Sequence, residues 1–365
     1  MSAPGQTIRV RIAGAKEASY TVVVEPGALR HAGALIRKHT SGRICVVTNE
    51  RVWGHHGAAF QRGLGAEKAV VVTIPEGEQN KTLAAVETIA EELIRARADR
   101  GAIIVSLGGG VIGDIAGFAA AIYLRGVEYV HIPTTLLAQI DSSIGGKTGV
   151  NLRAGKNLIG SFHHPKLVII DPEVLQTLSE RELRAGLFEA IKTGVIRNHL
   201  LFEFLEQHEA DVLAADAAAL TRVIHDCLAV KAKVVSEDER EHGMRRILNF
   251  GHTVGHVLEA ETSYRHFLHG EAVAWGMRIA TRIAEEREMI RGADAARIHS
   301  LVMSYGPVPP LVHLEPESLA TRLHADKKTR DGVVHFILPL KIGEVKVVTD
   351  VAVSSVLSAI SSFLA

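Results

Sequence analysis

Ala102-Ile-Ile-Val-Ser-Leu107, running straight into Gly108-Gly109-Gly110-Val111-Ile112-Gly113-Asp114, decides how this chain folds. The apolar, partly β-branched run reads as a strand, the glycines as a tight turn, and Val111–Tyr123 as a helix of small residues. Glycines at such a turn let the backbone approach a pyrophosphate, whose charge the helix N-terminus stabilises. The spacing is not G-x-G-x-x-G, and a tight turn packed on the sheet is the alternative. Working outward, the same alternation recurs. Arg9–Ile12 and Tyr20–Val24 read as an opening hairpin, and Pro26–Lys38 as a helix. Strands at Arg43–Thr48 and Ala69–Ile74 precede helical stretches at Val52–Leu64 and Thr82–Arg97; Tyr129–Ile132 and Leu167–Ile170 complete the strands. Strand–helix alternation argues for a parallel sheet covered on both faces.

After Pro172 the period changes to that of helices. Glu180–Ile196, Leu200–His208, Ala214–Ser236, Arg246–Glu261, Glu271–Arg287, Ala293–Tyr305 and Glu315–Ala325 all show it, and only Val333–Leu338 and Glu344–Val348 read as strands, as one hairpin. The expectation is an α/β N-terminal domain, residues 1–171, with a Rossmann-like parallel sheet, and a mainly α-helical C-terminal domain, residues 172–365. Ligands belong at the carboxyl ends of the strands, in the cleft between the halves.

Composition narrows the class. The 365 residues are 47% hydrophobic and 22% charged, as in an ordinary globular protein. Lys plus Arg (41) equals Asp plus Glu (41), so no overall field favours nucleic acid or an anionic membrane. A small anionic substrate would need locally clustered cations. Cys45 and Cys227 are the only cysteines, which fits a reducing compartment. Met1–Thr7 has no signal-peptide core, and no apolar run approaches about 18 residues, so a cytoplasmic location is expected.

Three stretches carry chemistry. Asn249-Phe-Gly-His252-Thr-Val-Gly-His256 puts two imidazoles on one helix face, and His269-Gly270-Glu271 adds a third imidazole and a carboxylate. Converging neutral nitrogens suit zinc and its neighbours, although two His at this spacing also occur on plain exposed helix faces. Glu189 and Lys192 stand in the apolar helix Ala185–Val195, where a buried carboxylate is costly unless a metal or cation compensates it; a surface Glu–Lys pair is the bland alternative. Asp141 to Asn151, then Gly155-Lys156-Asn157, sets Lys147 and Lys156 on glycine-rich backbone with Arg125 upstream, an arrangement for binding phosphate or carboxylate. Asn49-Glu50 stands where a ribose-binding group would sit, and Pro75–Lys81 is a polar loop on the same side. Lys231, Arg245 and the Asp326-Lys327-Lys328 turn are further cations, each of which could also be an ordinary charged helix end or turn.

These motifs together resemble a known family. Gly108–Asn151 (GGGVIGDIAGFAAAIYLRGVEYVHIPTTLLAQIDSSIGGKTGVN), GKNLIGSFHHPK, FEAIKTG, KAKVVSEDERE, RRILNFGHTVGH and HGEAVAWGM are similar, in order, to 3-dehydroquinate synthases of the sugar phosphate cyclase superfamily. The resemblance implies a homodimeric enzyme of the shikimate pathway that uses NAD and a divalent metal, zinc or cobalt. It implies conversion of 3-deoxy-D-arabino-heptulosonate 7-phosphate to 3-dehydroquinate and phosphate, by transient oxidation, phosphate elimination, re-reduction and aldol closure. By the same resemblance the metal ligands are Glu189, His252 and His269, with His256 moved to the substrate side. Cofactor contacts are implied for Glu78, Lys81, Gly109, Gly110, Val111, Asp114, Thr134, Thr135, Lys147, Lys156 and Thr177, to which Asn49 is added from its place after a strand. Substrate and phosphate fall to Arg125, Asp141, Lys147, Asn157, Lys192, Lys231, Arg245, Asn249, His256 and Lys327. The rival readings are another sugar phosphate cyclase, a metal- and NAD-dependent polyol dehydrogenase, and a cofactor-binding regulator without turnover.

Overall fold

The apolar runs become strands because both of their faces are covered. The computed structural model describes residues 6–10, 19–239, 243–311, 318–323 and 334–364. In chain order its first strands are β1 (Gln6–Val10), β2 (Tyr20–Val24), β3 (Ile44–Thr48), β4 (Val70–Thr73), β5 (Ile103–Gly108), β6 (Glu128–Pro133), β7 (Lys147–Leu152), β8 (Gly155–Phe162) and β9 (Leu167–Ile170). All but β7 and β8 form one sheet in the order β1-β2-β9-β6-β5-β3-β4, parallel throughout except for the antiparallel edge pair β1–β2. Alternate residues of one strand feed opposite cores. Ile103, Val105 and Leu107 join Leu29, Ile36 and Phe60 on one face, while Ile104 meets Ile89, Ile112 and Ile115 on the other.

The chain divides into two compact units, Met1–Ser179 with Ala217–Glu239, and Glu180–Asp216 with Arg240–Ala365. The division drawn from sequence, near Asp171, puts all later helices together. In the structure the helix Ala217–Glu237 instead packs on β2 and on the turn Ala138–Ser142 of the sheet unit. Amphipathic spacing reports that a face is apolar, not which core it covers.

In the second unit the helix His269–Glu286 is central. It packs on the helices Glu180–Arg197, His252–Glu261, Gly292–Ser304 and Val353–Ser361, and on the hairpin of β10 (Phe336–Lys341) and β11 (Glu344–Val348). The helix Val353–Ser361 had no counterpart in the sequence reading. Residues 318–323 of the expected helix Glu315–Ala325 are helical, and the rest of it lies outside the described residues, as do Lys327 and Lys328. No helix among the described residues is long and apolar enough to cross a membrane.

Two departures shape the site. The glycine- and lysine-rich stretch read as a basic loop is the antiparallel hairpin β7–β8, laid on the helix Gly110–Ile122. The single helix expected over Arg246–Glu261 is a 3₁₀ turn, Met244–Asn249, then Gly251 at φ 80°, then the helix His252–Glu261. A Cβ on Gly251 would lie 2.8 Å from Val273 O and 2.9 Å from Met277 N, and one on Gly276 would lie 1.8 Å from Gly251 O. The chain therefore turns and touches the central helix just before His252. Gly251→Ala is expected to cost about 1–3 kcal/mol from the left-handed backbone alone. Urea denaturation showing an unchanged midpoint would count against this tight contact.

Candidate active site

Glu189, His252 and His269 come from three helices of one unit, and one ligand atom from each lies within 4.8 Å of the others. His252 Nε2 is 3.8 Å and His269 Nε2 is 3.7 Å from Glu189 Oε1. Each ring is oriented by its other nitrogen: His252 Nδ1 lies 3.1 Å from Phe250 O, and His269 Nδ1 lies 3.3 Å from Glu259 Oε2. When Nδ1–H donates to those acceptors, the Nε2 lone pairs face the carboxylate, which is how metal-binding imidazoles are fixed. Burial, helped by Lys192 and the two neighbouring rings, holds the His252 ring well below its ordinary pKa, so it is neutral. Burial alone would lower His269 too, but the hydrogen bond and charge of Glu259, with Glu189 adding, outweigh it and raise this ring.

The carboxylate tests whether an ion fits. Glu189 and Lys192 side chains are only 2% and 3% exposed, and they form an ion pair one helical turn apart. That contact lacks hydrogen-bond geometry, and neither Glu189 oxygen has a hydrogen-bond partner among the described residues. A buried carboxylate whose oxygens accept no hydrogen bond, facing the Nε2 atoms of two imidazoles, is the donor set of a three-ligand catalytic metal site. The residues fit a divalent ion.

Around this triad the unit collects further groups. His256 is exposed, one turn beyond His252, with ring centroids 5.4 Å apart and planes at 85°. Arg245, buried, and Asn249, half-buried, lie on the 3₁₀ turn directly before Gly251. Glu271 has a different task from the one its motif suggested. Its carboxylate accepts from Leu268 N at 2.7 Å, and both Arg181 Nε (2.7 Å) and Nη2 (2.8 Å) donate to it, which fixes the start of the helix that carries His269.

Glu259 was missed by the sequence reading. The signal was present: Glu259 follows His252 at i+7 and His256 at i+3, on the same helix face. Glu259→Gln should weaken metal binding by about 10- to 100-fold, as loss of such an orienting carboxylate typically does. Equilibrium dialysis against cobalt reads this directly, and unchanged retention would dismiss the orienting role.

The sheet unit builds a second constellation at the carboxyl end of β5. Gly109 caps the helix Gly110–Ile122 without a side-chain hydrogen bond, so the first backbone N–H groups are available to an anion. Thr134 N donates to Gly108 O at 3.0 Å, and Thr135 Oγ1 accepts from Ala138 N at 3.2 Å, which ties the β6 end to the same turn. Lys81, almost fully buried, pairs with Asp114 and donates to Asn157 Oδ1 at 2.5 Å. Asn151 Nδ2 donates to Glu78 Oε1 (2.7 Å), and Asn157 N donates to Asn151 Oδ1 (2.9 Å). The loop Glu78–Lys81, the hairpin β7–β8 and Asp114 are thus one network. Lys231 donates to Asp141 Oδ1 at 2.6 Å. Lys147 is exposed on β7, Lys156 half-buried on β8, and Val111 half-buried in the first turn of the helix.

Two further candidates, Asn49 and Thr177, have hydrogen-bond partners within the chain. Asn49 Oδ1 accepts from Val52 N at 2.8 Å and caps a helix. Thr177 Oγ1 donates to Val174 O at 2.9 Å and lies 2.9 Å from His56 Nε2. Arg125 is exposed at the end of the turn Tyr123–Arg125, with φ 71°.

Known proteins share this build. Residues 71–185 match the model for the 3-dehydroquinate synthase N-terminal region, and residues 186–329 match that for the C-terminal region. The 3-dehydroquinate synthase of Solibacter usitatus is 48% identical over 346 residues, 95% of this chain and 97% of that protein. This chain belongs to the 3-dehydroquinate synthase family. Among solved structures, 2-epi-5-epi-valiolone synthase from Streptomyces hygroscopicus subsp. jinggangensis, with NAD+ and Zn2+ bound, is 31% identical at TM-score 0.88, covering 97% of this chain and 99% of that one. A 2-deoxy-scyllo-inosose synthase in complex with carbaglucose-6-phosphate, NAD+ and Co2+ is 27% identical, also at TM-score 0.88, covering 98% and 100%. These two neighbours share the fold of this chain, with its parallel sheet and mainly helical second half.

Proposed function

We propose that this protein is a 3-dehydroquinate synthase, converting 3-deoxy-D-arabino-heptulosonate 7-phosphate to 3-dehydroquinate and phosphate with NAD and a divalent metal, zinc or cobalt. The observation that carries the reading is the meeting of Glu189, His252 and His269, with the Glu189 oxygens unsatisfied, in a chain 48% identical to a curated synthase. Glu189, His252 and His269 hold the ion; the turn Gly109-Gly110-Val111, with Asp114, Glu78, Lys81, Thr134, Thr135 and Lys156, holds the dinucleotide. Asn49 and Thr177 complete that set. The dinucleotide set, apart from Thr177, belongs to residues 1–171 and the metal ligands to residues 172–365, while the substrate residues come from both. When bound, nicotinamide supplies reversible hydride acceptance and the ion supplies polarisation of the substrate hydroxyls.

The chain's own residues do the rest. Lys147, Lys231, Arg125 and Arg245 neutralise a phosphate and a carboxylate that a chain of zero net charge attracts only locally, and Asn157 adds a neutral hydrogen-bonding amide. Asp141 orients Lys231, and Lys192 compensates Glu189. His256, exposed beside the His252 ring, is the group placed to exchange a proton with bound substrate. Lys327 enters this set from the resemblance alone. The resemblance also implies a homodimer in the cytoplasm, and both cysteines, Cys45 and Cys227, are buried.

The test is phosphate release from the heptulosonate phosphate with substoichiometric NAD+ and zinc or cobalt. Stoichiometric phosphate without accumulation of NADH is expected. No phosphate would overturn the proposal, and steady NADH formation with glycerol would favour a polyol dehydrogenase.

A further inference from the structure

Beneath the glycine turn, inside the sheet unit, lies a small polar cavity bordered by Gly113, Asp114, Tyr129, His131, Ser142 and Thr148. Two of its polar atoms, His131 Nε2 and Ser142 Oγ, are buried and have no hydrogen-bond partner among the described residues. His131 is 3% exposed, on β6. Burial pushes its ring pKa down to about 3, so the ring is neutral, with one lone pair to satisfy. Tyr129 beside it is already satisfied, donating to Gly113 O at 3.0 Å with Ser106 Oγ 2.9 Å away. Both orphans border this one cavity, whose volume of about 10 Å³ is close to what one water needs. A Cβ on Gly110 would lie 3.1 Å from Ser142 Oγ, and one on Gly113 would lie 2.6 Å from His131 Nε2. Buried polar groups left without partners are rare, and buried waters settle where two or more converge.

We infer that this cavity binds one ordered water, which joins His131 Nε2 to Ser142 Oγ and so makes His131 a positioning residue for the cofactor turn. The water clamps two elements that the proposed function uses. Ser142 ends the turn Ala138–Ser142, which holds Asp141 and its partner Lys231. Gly110 and Gly113 are the first turn of the helix that presents Gly109, Gly110 and Asp114. Side chains at either glycine would fill the site. His131 itself touches neither substrate nor dinucleotide, and its effect is transmitted through Ser142 and the glycine turn.

The inference rests on the NAD reading, and a double-mutant cycle separates the two. His131→Leu and Ser142→Ala should each raise the NAD+ dissociation constant of the metal-loaded protein about tenfold, by breaking the bridge that holds the glycine turn in place. The double variant should also show about tenfold rather than about a hundredfold, because both changes break one bridge. His131→Gln, which keeps a polar atom at similar reach, should restore most of the affinity. A crystal structure of the apoprotein should show the water between the two atoms. Multiplying effects in the double variant, unchanged NAD+ affinity in both single variants, or no density between the two atoms would each overturn the bridge. Wild-type protein that binds no NAD+ would instead overturn the functional reading.

Discussion

His269→Ala is expected to reduce phosphate release by about a thousandfold or more. A bound ion contributes several kcal/mol of charge stabilisation, and each decade of rate corresponds to about 1.4 kcal/mol. The substitution removes one of two imidazoles and leaves Glu259, now without its ring partner, buried on the neighbouring helix. Metal should be lost on dialysis, whereas the fold should persist, because helix His269–Glu286 keeps its Glu271–Arg181 brace and its apolar face. The measurement is metal content beside activity, after chelation and resupply of zinc. Full activity in the resupplied variant would remove His269 from the ligand set. Activity lost at full metal content would move it to the substrate side.

Lys192→Met should give the largest loss of stability, and one that depends on metal. Removing one partner of a buried ion pair typically costs about 3–5 kcal/mol, because the other charge is left uncompensated. Glu189 would be that charge, 2% exposed and with no hydrogen bond to either oxygen. In metal-free protein the melting temperature should fall by on the order of 10 °C. Zinc or cobalt should raise the variant's melting temperature more than the wild type's, since the ion supplies the missing positive charge and binding to the folded state stabilises it. Equal metal-induced shifts in the two proteins would mean that Glu189 does not face the ion.

The sheet unit was legible because its strands are short apolar runs closed by glycine or proline. Being covered on both faces removes the alternation that otherwise marks a strand. The hairpin β7–β8 escaped for the opposite reason. Gly149 and Gly160 face each other at its centre, Lys147 pairs with Phe162, and no apolar period crosses it. Its strand character comes from the helix Gly110–Ile122 beneath it. The break at Gly251 is visible as a glycine, but its necessity comes from the backbone of Val273 and Met277 in another helix.

For the site, the sequence alone determined the inventory: one carboxylate in an apolar helix, imidazoles at helix starts, glycines after a strand, cations among glycines. Those follow from local rules of spacing, capping and desolvation, which act within a few residues. Only the tertiary structure decided the partnerships. It set Glu189 against rings from two later helices, gave Glu259 to His269, turned Glu271 into a brace and returned the Lys231 helix to the sheet unit. Each of those choices depends on which helices can approach closely and which buried charge must be answered, and no local pattern records either.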